Sequence, residues 1–151
     1  MHKTVQNLIA IENQLKSSLV DVDESNLPKI IAVSKTFKID KISPLIEHGH
    51  LHFGENKVQE AIDKWTEIKT NNTSIQLHMI GKLQTNKVKF AVKLFDYIHS
   101  VDSEKLAKKI ADEQLKVKRN IKIFIHTSAA NKGGRPEGGG LLRSRAPSQK
   151  V

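Results

Sequence analysis

The sequence predicts an α/β fold, the N-terminal portion of a (β/α)8 TIM barrel, with about four βα units plus a fifth strand, preceded by an N-terminal helix. Apolar strand-like runs begin near Ile30, Leu51, Ile75, Tyr97 and Ile121, at spacings of 21, 24, 22 and 24 residues. Amphipathic helical segments separate them, which is the alternation of a parallel sheet with helical crossovers. An open doubly wound sheet is the alternative. It usually carries a glycine-rich phosphate loop after its first strand, and VSKTFKID (33–40) has no glycine. Eight such repeats occupy ~200–250 residues, so five strands make a partial barrel.

The elements follow in order. Val5, Leu8, Ile11, Leu15 and Leu19 fall on one stripe of a leading helix, and segment 20–29, with three acids and Pro28, reads as a loop. Ser43 before Pro44 has the form of an N-cap followed by the first helical position, and Gly49 that of a helix stop. Asn56 and Gln59 have capping-box spacing. Val58, Ala61, Ile62, Trp65 and Ile68 share one helical face, Val88, Ala91, Val92 and Phe95 another, and Leu106, Ile110 and Val117 continue the pattern.

With 151 residues, 38% of them hydrophobic, the chain fits one globular unit with a core. The absence of cysteine excludes disulfides and thiolate metal sites. No apolar run approaches the ~20 residues of a membrane span. The N-terminus lacks the continuous apolar stretch of a secretory signal, so a cytoplasmic location is expected and membrane association is not.

The net charge of +9 is unevenly spread. Residues 128–151 hold Lys132, Arg135, Arg143, Arg145 and Lys150 against Glu137 alone, +4 in total, which leaves a mildly basic body. The same stretch holds five of the eight glycines and shows no hydrophobic periodicity. The division expected is a partial barrel over 1–134 and a Gly/Arg-rich tail over 135–151, disordered or out of frame. A nucleic-acid-binding arm is the functional alternative for the tail, and it predicts strongly salt-dependent binding.

Lys35 follows the apolar run ending at Val33 and Ser34, at the carboxyl end of the first strand, where barrel active sites gather. A lysine partly desolvated there favours the neutral amine, which attacks aldehydes to form imines. The bland alternative is a lysine snorkelling from a strand end. Asn56, in FGEN (53–56), stands where a strand gives way to a helix, as a helix cap or as an amide offered to a ligand. His78 lies in the third strand, and alternation alone leaves it facing either the barrel lumen or the helices. His48, His50 and His52 alternate without a carboxylate or cysteine in register, which makes a weak metal signal.

Four motifs in order, IIAVSKTF (30–37), HFGENKVQEA (52–61), HMIGKLQTNK (78–87) and IHSVDS (98–103), resemble the pyridoxal-phosphate homeostasis protein family, relatives of the alanine racemase N-terminal barrel. The resemblance runs from the leading helix through the fifth strand. It implies a pyridoxal 5'-phosphate-binding protein of intracellular cofactor homeostasis, holding the cofactor as a Schiff base on Lys35 without catalysis of its own. Asn56 and His78 would then approach the cofactor, and GKLQTNK (81–87) would shape the rim or bind an ion or partner. The partners implied are the cofactor and the apoenzymes that require it, with a monomer as the folded state. A cofactor-dependent racemase or decarboxylase is the enzymatic alternative. It needs a second acid or base across the ring, and the sequence names none.

Overall fold

In the computed structural model, residues 1–126 are described, and the expected tail at 135–151 lies outside them. Helix α1 (Lys3–Ser18) leads, and a single 3-10 turn (Glu24–Asn26) interrupts the loop before the sheet. Then βα units follow in strict alternation: β1 (Ala32–Val33), α2 (Ile39–Glu47), β2 (His52–Glu55), α3 (Val58–Asn71), β3 (Gln76–Met79), α4 (Val88–Leu94), β4 (Tyr97–Val101), α5 (Glu104–Val117) and β5 (Lys122–Ile125). The five strands form one parallel sheet in sequence order. Every strand expected from the sequence is present, and the architecture is that of a partial (β/α) barrel.

The two faces of the sheet differ. Phe53, Leu77, Met79 and Ile98 are fully buried and belong to the core that includes Trp65, Ala91, Val92, Leu106 and Ile110 from the helices. The Trp65 ring lies 4.9 Å from that of Phe53. On the other face, side chains of the edge strands have little opposite them. Val33 is 48% exposed and Phe124 50%.

Two helix starts differ from expectation. Helix α2 begins at Ile39, with Pro44 inside it and Ser43 Oγ donating to Ile39 O at 2.9 Å. Ile42, 3% exposed, anchors its apolar stripe before the Ser-Pro pair, so burial overrides the local capping signal. Pro44 leaves the Asp40 carbonyl without its helical donor. The expected stop at Gly49 is present, at φ 98°, with its N–H donating to Ile46 O. At α3 the N-cap is Lys57, without a side-chain cap, and Gln59 donates to Asp63 instead. Asn56 is one residue too early to cap, so the capping box is absent.

Candidate functional site

Strand register assembles the rim. Val33 pairs with Gly54, Gly54 with His78, His78 with Tyr97, and Tyr97 with Lys122, giving one row across the sheet. Lys35 lies two residues beyond Val33, in the turn after β1, and Asn56 two beyond Gly54, in the bend after β2, so both stand past the row of His78 at the carboxyl end of neighbouring strands. The structure therefore brings Lys35 and Asn56 to one edge and sets His78 one side-chain layer deeper.

Lys35 occupies a turn in which Phe37 N–H donates to Ser34 O at 3.2 Å. It is exposed, and this corrects the expected desolvation: the strand it follows is an edge strand whose concave side is open among the described residues. No carboxylate pairs with it among those residues, which leaves its amine unencumbered.

Asn56 is half-buried in the bend after β2. Gly81 packs directly upon it, and a Cβ there would overlap both the Asn56 carbonyl oxygen and its Oδ1. Ser100 Oγ donates to the Gly81 carbonyl and fixes that crossing from β4. Beside Asn56 a cleft of about 310 Å³ is lined by Lys57, Lys82, Gln84 and Lys87, so part of the GKLQTNK segment does shape the rim. A larger cleft, about 830 Å³, opens on the helix side between the loop after β1 and α3, and Lys35 is not among its lining residues.

His78 faces the concave side, which settles its orientation. It is 4% exposed and shares hydrogen bonds with His52 Nδ1 through Nε2 (3.0 Å) and with His99 Nε2 through Nδ1 (2.8 Å). The Tyr97 ring stacks on it at 4.1 Å, and the Phe124 ring stacks on His99 at 4.4 Å. Three neutral imidazoles satisfy both bonds with protons ordered in either direction along the chain. Burial first, then neighbouring His99 and His52, pushes His78 down to about 4. Burial also lowers His52 and His99, with Lys29 adding to the effect at His52. At neutral pH this face offers hydrogen-bonding imidazoles rather than cations.

Of these three, only His78 stands out in the sequence as a site candidate; His52 belongs there to the His48, His50, His52 alternation, and nothing local marks His99. The usable signal is parallel register: residues facing the same side of adjacent strands meet even when they lie over 20 residues apart. The alternating His48, His50 and His52 do not converge, and His50 Nε2 meets the His52 carbonyl at 2.9 Å. Among the described residues no cluster of three or more potential ligands could hold a metal ion, and no helix is long and apolar enough to cross a membrane.

The fold and rim are those of a partial (β/α) barrel with a lysine presented at the end of its first strand. The chain is similar to the pyridoxal phosphate homeostasis proteins, as its motifs imply. It is 30% identical over 118 residues to the pyridoxal phosphate homeostasis protein of Escherichia coli K12, covering 76% of this chain and 50% of that protein. With the Pasteurella multocida protein of the same name it shares 28% identity over 127 residues, 83% of this chain and 54% of the relative. The structure of PipY from Synechococcus elongatus with PLP bound is 40% identical, with a TM-score of 0.62 over 74% of this chain and 51% of PipY. No protein-family profile matches the chain. The chain thus spans about half the length of the curated relatives it matches.

Proposed function

We propose that this chain binds pyridoxal 5'-phosphate as a Schiff base on Lys35 and serves cytoplasmic cofactor homeostasis, supplying apoenzymes rather than catalysing a reaction. The observation that carries the reading is the placement of Lys35. It lies in the turn after the first strand, on the rim where barrels act, exposed and without a carboxylate partner among the described residues, in a chain similar to a protein solved with PLP bound. The donor set suits the ligand. A primary amine condenses with the cofactor's aldehyde with loss of water, and the Asn56 amide, which makes no hydrogen bond among the described residues, stands at the same edge. Once bound, the cofactor would supply an electron-accepting ring. The stacked His78–Tyr97 floor would lie one layer below the rim.

The test is spectroscopic. Adding pyridoxal 5'-phosphate should produce an imine absorption band that Lys35→Ala abolishes, whereas an unchanged band in that variant would exclude Lys35 as the attachment point.

A further inference from the structure

Both backbone neighbours of Lys35 are held by side chains from the next βα unit. On one side, Ser34 N–H donates to Gly54 O at 2.9 Å, and Ser34 Oγ donates to Glu55 Oε1 at 2.6 Å. Lys64 Nζ, on α3, donates to the Ser34 carbonyl at 2.8 Å and to Glu55 Oε1 at 2.9 Å. On the other side, Thr36 N–H donates to Glu60 Oε1 at 2.6 Å, and Lys64 pairs with the same Glu60 oxygen at 3.3 Å. Thr36 sits at φ 65°, the left-handed region, where a β-branched residue persists only when its surroundings over-determine it. The Thr36 amide is also the leading cause that holds the Glu60 carboxyl below the usual range.

We infer that Glu60 and Lys64 are positioning residues for Lys35, a bracket that fixes Ser34 and Thr36 and thereby directs the intervening amine toward its aldehyde ligand. The inference rests on the proposed cofactor role of Lys35. Lys64 ties the two halves together, because one ammonium reaches the Ser34 carbonyl, Glu55 and Glu60. The effect of the bracket is preorganisation: an exposed lysine on an unsupported turn would sample many orientations before each encounter. The spacing Glu60 to Lys64, four residues on one helical face, is the sequence trace of the bracket.

Glu60 lies at the surface end of the network, so its removal leaves the buried Glu55–Lys64 pair intact and the chain folded. The experiment titrates wild type, Glu60→Ala and Glu60→Gln with pyridoxal 5'-phosphate, traps with borohydride, and quantifies the adduct on the Lys35 peptide by mass spectrometry. Amide hydrogen exchange at Thr36 is followed in the same samples. Glu60→Ala should weaken adduct formation about tenfold with a melting temperature near wild type and an unprotected Thr36 amide. Glu60→Gln, whose side-chain oxygen still accepts from Thr36, should recover most of the affinity. Wild-type affinity in Glu60→Ala despite a freely exchanging Thr36 amide would overturn the positioning role. No Lys35 adduct on wild type would instead overturn the cofactor reading, and the positioning role with it.

Discussion

Lys64 Nζ lies 2.9 Å from Glu55 Oε1, and Glu55 is completely buried. The same oxygen accepts from Ser34 Oγ at 2.6 Å and from Trp65 Nε1 at 2.8 Å, while Oε2 has no partner among the described residues. One ammonium therefore provides the countercharge for a carboxylate shut off from water. Lys64→Met should destabilise the protein by roughly 3–5 kcal/mol, because it strands that charge. Trp65 is the only tryptophan, so its fluorescence during urea unfolding reports the change directly. A loss below about 1 kcal/mol would contradict this role for Lys64.

Stability should fall as pH drops from about 6.5 toward 4. His78 in the fold is pushed down to about 4 from an ordinary 6.5, so across that window the unfolded chain binds a proton that the folded one refuses. Its contribution is fully present above 6.5 and disappears as pH falls through the folded value. One such group gives at most about 1.4 kcal/mol per pH unit. His52 and His99, lowered for the same reason, add to the same direction. Urea midpoints measured from pH 7.5 to 4.5 check this, and His78→Leu should flatten the slope.

Gly81→Ala should cost about 1–3 kcal/mol, since the new methyl group meets Asn56 backbone and side chain rather than a flexible end. It should also weaken cofactor uptake by displacing Asn56 from the rim. Thermal unfolding and the imine band, measured on the same sample, separate the two effects.

Asp96 tests the opposite end of the sheet. It accepts from Lys69 Nζ at 2.6 Å, Arg119 at 2.7 Å and the Leu77 amide at 2.8 Å, tying α3, the end of α5 and β3 to the start of β4. Asp96→Ala should cost about 2–3 kcal/mol in urea titrations, because its half-buried donors lose their partner. Adduct formation at Lys35 in the folded protein should remain at the wild-type level, since the amino ends of barrel strands serve stability.

What the sequence discloses depends on the range of the interaction. The βα cadence, the stripes of α3 and α4 and the Gly49 stop are local, and all are in the structure. Asn56 and Ser43 carry capping chemistry that the fold does not use: Lys57 is the N-cap of α3, and Ile42 draws α2 to an earlier start. Register across strands is nonlocal, so the chain His52–His78–His99 is invisible until β2, β3 and β4 are aligned. The expected desolvation of Lys35 assumed neighbours across the rim, whereas the described residues leave that side open.

Lys35, among many lysines, is the residue proposed to take up the cofactor. Pyridoxal 5'-phosphate added at a substoichiometric ratio, trapped with borohydride and mapped by peptide mass spectrometry, tests it most directly. The adduct should be concentrated on the Lys35 peptide and lost in Lys35→Ala. An adduct spread evenly over the surface lysines, or one that survives that substitution, would contradict it.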